Sequence, residues 1–302
     1  MYKRQRRSGV RLPGDLVIAC VAGETQGGEG THYLMEHGLR TDAAVVAEPF
    51  GADNLVTVHS GIVHMAIHTY GVTGHIGRLE GTVNAVHTMT GVIGALQRVQ
   101  FRHTPRPDLP AFPRLNVGSI LGGRGPSYVL VEPPYVPDVC TILVDVHFVP
   151  GMTVDGICAD IRRALDAIAA RDPELRYEVE IPPPAHFKGR RRLVMDPFDI
   201  PIDAPIVQAV ARSYRTVTGQ EPKAIGTVLP HSYSADDTCH LWKAGIPCLL
   251  YGPSTIRGSA DEDDACVLVS EMEKVTRVLA VTALDVCQRK PAELAMASPP
   301  RP

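Results

Sequence analysis

The first 50 residues of this chain contain two short apolar runs. Residues 15–22 and 42–47 each consist of an aspartate followed by a continuous apolar run, and a Gly-rich turn and the helix-like segment 31–38 separate them. Short apolar runs bounded by turn residues are typical of buried parallel strands. Because strand, helix and strand follow one another, the pattern predicts a βαβ unit in a mostly parallel sheet.

The pattern changes near residue 57. The elements predicted next are an alternating strand at 56–72, a helix at 81–100, strands at 114–121 and 138–148, a helix at 153–170 and a strand at 177–181. The order β-α-β-β-α-β predicts a ferredoxin-like, two-layer domain. After three prolines at 182–184 the pattern returns to α/β character. The elements predicted there are helices at 204–218, 238–244 and 265–287 and a strand at 247–251.

These elements predict an α/β fold in which one domain is interrupted by another. Residues 12–57 and 183–288 together form a split α/β domain with a mostly parallel sheet. Residues 58–182 form an inserted ferredoxin-like α+β domain. Residues 289–302 are rich in proline, alanine and serine, so we expect a disordered tail.

Composition narrows the class of protein. The 302 residues carry a net charge of −3, which gives no general attraction to nucleic acid or to an anionic membrane. No apolar run reaches the roughly 18 residues of a membrane span. Seven cysteines, an odd number without a CxxC pair, indicate free and mostly buried thiols in a reducing cytoplasm.

Two acidic residues follow the two apolar runs of the predicted sheet. Glu24 comes after the first run and Glu48 after the second. Parallel strands bind ligands at their carboxyl ends, so both carboxylates should face one crevice. There a carboxylate can act as a general base, or two can share a divalent cation that relieves their repulsion. The alternative is that both are exposed acids in polar turns.

Further polar residues occur in suggestive positions. His75 lies in a glycine-flanked turn and would donate a hydrogen bond to an oxyanion, unless it is an ordinary surface histidine. Asp237 and His240 are three residues apart on a predicted helix and would share one face as a metal pair. The alternative is that Asp236 or Asp237 caps that helix.

Several motifs occur in an order that resembles a known family. They are Glu24, Gly27–Thr31, Glu48-Pro49, Gly74-His75, Asn84-Ala85, Asn116–Ile120 with Gly122-Gly123, Asp145 through Pro150-Gly151, Asp237, Gly245–Pro247 and Tyr251–Pro253. The set, which covers about residues 14–287, resembles the zinc amidohydrolases and peptidases of the acetylornithine deacetylase, succinyl-diaminopimelate desuccinylase and carboxypeptidase G type.

The resemblance implies hydrolysis of an amide bond in a small molecule, such as an N-acyl amino acid or a short peptide. It implies a divalent metal, zinc or cobalt, and a homodimer formed through the inserted domain, which acts as a lid. By position Glu24 resembles the catalytic base and Glu48 a metal ligand. His75 resembles the lid histidine that stabilises the oxyanion in the partner's site. Asn116 and His147 resemble substrate contacts.

The sequence also departs from the family pattern. Thr25 stands where a second metal-binding glutamate is expected, Ala260 where a late histidine is expected, and His147 where an arginine often binds the substrate. The family's first metal-binding histidine and bridging aspartate would lie upstream, so we expect that N-terminal sequence is missing and that residues 1–302 alone are inactive. Three hypotheses remain: a hydrolase with an altered metal site, a non-catalytic relative that binds a small ligand or only dimerises, and a single-metal chemistry at Asp237 and His240.

Overall fold

A computed structural model describes residues 9–130, 134–183, 194–254 and 266–296. The chain divides into two compact units. The first unit combines residues 1–60 with residues 195–302, and the second unit consists of residues 61–194. In the described ranges, no helix is both long enough and apolar enough to cross a membrane.

The elements are numbered in chain order. The strands are β1 (Ala44–Val46), β2 (Asn54–Val56), β3 (Val58–His59), β4 (Gly61–Tyr70), β5 (Arg114–Gly123), β6 (Val139–Phe148), β7 (Arg176–Glu180), β8 (Val194–Met195), β9 (Phe198–Asp199), β10 (Ala224–Gly226) and β11 (Cys248–Leu250). The helices are α1 (Glu29–Glu36), α2 (Ala85–Leu96), α3 (Val154–Ala169), α4 (Pro205–Thr218), α5 (Thr238–Lys243), α6 (Val269–Val286) and α7 (Pro291–Leu294). Two single turns of 3₁₀-helix span Glu24–Gln26 and His231–Tyr233.

The first unit is built on a four-stranded sheet with the order β1-β11-β2-β10. β1 pairs with β11 and β2 with β10 in parallel, whereas β11 and β2 are antiparallel. Its core contains the buried residues Leu55, Val210, Leu249 and Val278, contributed by strands and by helices α4 and α6. The mixed α/β class predicted from the apolar runs is confirmed.

The second unit contains an antiparallel sheet whose strands follow the order β5-β6-β4-β7. β4 and β6 pair along ten residues, and β5 follows β6 with an irregularity between Val117 and Ser119. Buried Met89 of α2 and Ile157 of α3 belong to its core. Asn84 accepts backbone hydrogen bonds at the start of α2, and Thr153 does so at α3. The predicted order β-α-β-β-α-β is confirmed.

Residues 15–22 differ from their prediction. They belong to no strand of the described sheets, and Val17 and Ile18 are 51% and 61% exposed instead of buried. An apolar run becomes a buried strand only where neighbouring strands accept its hydrogen bonds and cover its side chains. Within the described ranges this segment has no such neighbour, so the prediction of a buried strand here is wrong.

The C-terminal tail also differs in part from its prediction. Pro291 and Glu293 belong to the short helix α7, and Leu294 at its end is buried. Proline at the first helical position and one buried leucine suffice to order this turn. The predicted disorder is therefore wrong for 291–294, and residues 297–302 lie outside the described ranges.

Candidate functional site

Glu24 lies in a tight turn that only glycine permits. The turn is flanked by Gly23 (φ 82°) and Gly27 (φ 99°), both in the left-handed region that strains other residues. The backbone N–H groups of Gly27 and Gly28 donate to the Glu24 carbonyl over 3.0 and 3.1 Å. The half-buried Glu24 side chain therefore stands on a backbone fixed by its own hydrogen bonds.

Glu48 lies two residues beyond β1, where Gly252 packs directly on its backbone. A Cβ atom at position 252 would lie 2.1 Å from the Glu48 carbonyl oxygen, closer than any side chain tolerates. The neighbouring Tyr251 N–H donates to the Val46 carbonyl over 3.0 Å, which extends the contact between β1 and β11. The position of Glu48 therefore depends on a glycine about 200 residues further along the chain.

Four carboxyl groups form what we call the acid cluster: Glu24, Glu48, Asp236 and Asp237. Burial raises the pKa of the Glu48 carboxyl from its ordinary value of 4.5 to about 8, and the negative charges of Asp236, Glu24 and Asp237 add to the rise. The structure thus brings Glu24 and Glu48 into one electrostatic environment. It adds two aspartates of which only Asp237 belongs to the motif set.

Asp237 and His240 hold the glycine turn from the side of α5. Asp237 Oδ2 accepts a hydrogen bond from Thr31 Oγ1 over 2.8 Å, and His240 Nε2 lies 2.7 Å from the Gly27 carbonyl oxygen. A Cβ atom at Gly28 would lie 2.5 Å from Asp237 Oδ1, so this turn again requires glycine. The two side chains position the turn that carries Glu24.

This arrangement corrects the prediction of a metal pair formed by Asp237 and His240. A carbonyl oxygen only accepts hydrogen bonds, so His240 Nε2 must carry a proton toward Gly27 and cannot bind a metal there. The alternative of a helix cap fits Asp236, whose Oδ1 accepts from the Thr238 N–H over 2.8 Å.

The acid cluster meets only part of the requirement for a metal centre. Asp236 Oδ2 and Asp237 Oδ1 are buried without a hydrogen-bond partner, and such carboxylate oxygens suit a divalent cation. Zinc sites, however, need three or four protein ligands. Among the described residues, no group of three or more histidine, cysteine, aspartate or glutamate side chains could hold a metal ion. The described residues therefore do not fit a complete two-metal centre; Ala260 lies outside the described ranges.

His75 belongs to the second unit and lies in an exposed loop. Its Nδ1 accepts a hydrogen bond from the Gly77 N–H over 3.0 Å, and its ring contacts the Tyr135 ring edge-on at 5.3 Å. Because Nδ1 is an acceptor, a neutral ring carries its proton on Nε2. This tautomer is the one that donates to an oxyanion.

Asn116 and His147 meet around an aspartate on one face of the second unit's sheet. Asp145 pairs with Asn116 on β5 and with His64 on β4, and residues paired across antiparallel strands share a face. His147 Nε2 lies 3.1 Å from Asp145 Oδ2, and His64 Nε2 lies 3.3 Å from Oδ1. Strand alternation places Asp145 and His147 on one face, but His64 gave no signal in the sequence, because its pairing with Asp145 appears only in the structure.

The two histidines determine the charge state of Asp145. Burial alone would raise its pKa, but the hydrogen bond from His147 and the close approach of His64 outweigh burial and hold the pKa well below its usual range. A carboxyl whose pKa is lowered by folding stabilises the protein above its unfolded value of 3.8. This contribution is lost as the pH falls toward the folded value.

We expect Asp145→Asn to lower the free energy of unfolding at pH 7 by roughly 1–3 kcal/mol, because hydrogen bonds to a charged acceptor are lost. Urea unfolding at pH 7 and at pH 3 measures the effect, and the difference from the unmodified protein should shrink at pH 3. Glu174→Gln on the exposed surface of the same unit is the control. An equal loss at both pH values would contradict the charged role of Asp145.

Comparisons with known proteins agree with this architecture. Residues 57–173 match the model of a peptidase dimerisation domain. The chain is 25% identical to an N-formyl-4-amino-5-aminomethyl-2-methylpyrimidine deformylase of Halalkalibacterium halodurans, a match covering 94% of this chain and 66% of the relative. It is also 25% identical to an acetylornithine deacetylase of Edwardsiella ictaluri, covering 90% of this chain and 64% of that enzyme.

Solved structures show the same fold. The aminopeptidase PepT of Bacillus cereus matches with a TM-score of 0.64 at 15% identity, over 89% of this chain and 63% of that one. The dipeptidase Dug1p of Saccharomyces cerevisiae matches with a TM-score of 0.62 at 12% identity, over 95% and 69%.

The motifs, the matched dimerisation domain and the relatives point to one family. The chain is similar to the metal-dependent amidohydrolases and peptidases that include acetylornithine deacetylase. Members of this family generally use two metal ions. The chain spans about two thirds of the length of the curated relatives that it matches.

Proposed function

We propose that this chain hydrolyses the amide bond of a small N-acyl compound. The observation that carries the proposal is the acid cluster, in which the charge of Glu24 in the glycine turn adds to the raised pKa of Glu48 after β1. Two carboxyl groups held close together without a cation between them are unfavourable, which favours a chemical role over a structural one.

The names of the relatives narrow the substrate class. One relative is a deformylase and another a deacetylase, so both names describe removal of a small acyl group from an amine. We propose an N-formyl or N-acetyl amine as substrate. His147, which stands where an arginine would bind a carboxylate, favours an amine whose remaining part is not strongly anionic.

Each predicted site residue has one proposed role in the hydrolysis. Glu24 takes the proton of the attacking water as general base, and His75 donates from Nε2 to the oxyanion that forms on the amide carbonyl. Asn116 and His147 contact the substrate. Glu48 is proposed as a metal ligand, and the metal as zinc or cobalt. We also propose a cytoplasmic homodimer formed through the second unit, with no nucleic acid or membrane partner.

We expect Glu24→Gln to lower kcat about 10²- to 10⁴-fold, the range that a general base contributes. The measurement is release of formate or acetate by the purified protein, with metal content determined in parallel. Glu29→Gln, five residues further in the same segment, is the matched control and should leave kcat within a few-fold. Unchanged turnover in Glu24→Gln would remove Glu24 from the mechanism.

A second candidate is a non-catalytic relative that binds a small ligand. It is supported by Thr25, which cannot bind metal as a glutamate would, and by the incomplete donor set among the described residues. This candidate predicts no turnover of any N-acyl amine and no effect of Glu24→Gln on ligand affinity. Calorimetric titration with an N-acetyl amine, which measures binding without turnover, distinguishes the two candidates.

A further inference from the structure

His59 is a completely buried histidine of the first unit to which the proposed mechanism gives no task. It ends β3, and its ring lies 5.3 Å from the ring of Phe198 on the paired strand β9. Its Nδ1 lies 2.7 Å from the Ser60 carbonyl oxygen and its Nε2 lies 2.8 Å from Thr238 Oγ1. Both ring nitrogens are therefore engaged by oxygen atoms.

The hydrogen-bond partners determine where the ring protons lie. The Ser60 carbonyl only accepts, so Nδ1 carries a proton. Thr238 has one hydroxyl proton, and its Oγ1 donates to Asp236 Oδ1 over 2.6 Å. Because that proton is used, Thr238 accepts from His59, and Nε2 must carry a proton as well. A ring protonated at both nitrogens is an imidazolium cation.

A buried cation requires a counter-charge, and Asp236 supplies it. Asp236 Oδ1 lies 3.5 Å from His59 Nε2, and both side chains are almost fully enclosed. The same oxygen also accepts hydrogen bonds from the Thr238 N–H and Oγ1–H. An unpaired charge at this depth would cost several kcal/mol, so an imidazolium at His59 requires a carboxylate as close as Asp236.

This pair is connected to the glycine turn through α5. Thr238 is the first residue of α5. Asp237, just before it, accepts a hydrogen bond from Thr31, and His240, in the same first turn, lies against Gly27. We propose that His59 is a positioning residue: a buried imidazolium that fixes the first turn of α5 and, through it, the turn that carries Glu24. The role of Glu24 as a catalytic base rests on the proposed function. The charge of His59 and its link through α5 to the glycine turn do not depend on that function.

The charge state is tested on the unmodified protein. Long-range ¹H–¹⁵N spectra of protein labelled at its histidine ring nitrogens should show both His59 nitrogens as N–H groups at pH 7. The signals are assigned through contacts with the Phe198 ring and by their loss in His59→Gln. A His59 ring with one unprotonated nitrogen at pH 7 would overturn the proposal even if no variant folds.

The connection to the glycine turn is tested with two variants. In His59→Asn the amide replaces Nδ1 and leaves Thr238 without a donor, so we expect amide exchange at Gly27 and Gly28 to become about tenfold faster or more. In His59→Gln the amide replaces Nε2 and still donates to Thr238, so we expect a smaller increase, within about threefold. Equal exchange rates in both variants and in the unmodified protein would contradict the connection.

His68→Gln is the matched control. His68 is a buried histidine of the second unit that likewise faces a threonine hydroxyl and a carboxylate, Thr141 and Glu180. Replacing His68 should leave the amide exchange rates of Gly27 and Gly28 unchanged. Faster exchange at these two glycines in His68→Gln would show that the effect of the His59 variants comes from general destabilisation. If no amide is hydrolysed but His59 is doubly protonated and the glycine amides respond, the proposed function fails and this inference stands.

Discussion

Gly252→Ala should abolish the geometry around Glu48 and lower the free energy of unfolding by about 3 kcal/mol or more, the upper range for inserting atoms into a packed site. The new Cβ would lie 2.1 Å from the Glu48 carbonyl oxygen and 2.9 Å from its carbonyl carbon. Both are backbone atoms, so no rotamer change relieves the clash, and the end of β11 must separate from Glu48. Urea unfolding and amide hydrolysis measure the two consequences.

The control for this substitution is Gly91→Ala in α2. A Cβ atom at position 91 meets nothing within 4 Å, and alanine in a helix is favoured over glycine by about 1 kcal/mol. Gly91→Ala should therefore maintain or increase stability. If Gly252→Ala were as stable as the unmodified protein, Gly252 would not determine the position of Glu48.

Glu48→Gln should stabilise the cation-free protein at pH 8 by on the order of 2 kcal/mol, while it removes a proposed metal ligand. Its pKa is about 8 in the folded protein against an ordinary 4.5, so folding favours the neutral carboxyl. A raised pKa gives a contribution that is complete below pH 4.5 and is lost as the pH rises to about 8. Several pKa units correspond to several kcal/mol, reduced here because the side chain is partly exposed.

The measurement is thermal or urea unfolding from pH 4.5 to pH 8 in the presence of a chelator. The unmodified protein should lose stability across this interval, and Glu48→Gln should lose less. Glu273→Gln on the exposed face of α6 is the control and should follow the unmodified protein. Identical pH profiles for Glu48→Gln and the unmodified protein would show that neither burial nor the other carboxylates of the acid cluster destabilise ionised Glu48. A stabilising effect of added zinc or cobalt that Glu48→Gln abolishes would support Glu48 as a ligand.

Much of the fold follows from local pattern. The second unit was predicted element by element, because its strands alternate and its helices carry capping residues such as Asn84 and Thr153. The exposed run at 15–22 was predicted as a buried strand because apolar composition alone does not reveal whether neighbouring strands are present. The helix predicted at 81–100 is shorter, since the Asn84 cap fixes its start at Ala85.

The candidate site was predictable only in part. Glu24 and Glu48 were identified because both end apolar runs, and this signal is local. His59 and Asp236 gave no such signal, because their meeting depends on contacts about 180 residues apart in sequence. The sequence also gives no sign that position 252 requires glycine, since only the structure shows that Gly252 packs on the backbone of Glu48.

The parallel pairing of β1 with β11 has a consequence for the order of folding. It joins residues 44–46 to residues 248–250, and the whole second unit lies between them in the chain. During synthesis the second unit is complete before β11 leaves the ribosome, so its largely consecutive elements are available to fold first. Glu24 and Glu48, although made early, acquire their neighbours Asp236 and Asp237 only after that long loop has closed, so the acid cluster forms late.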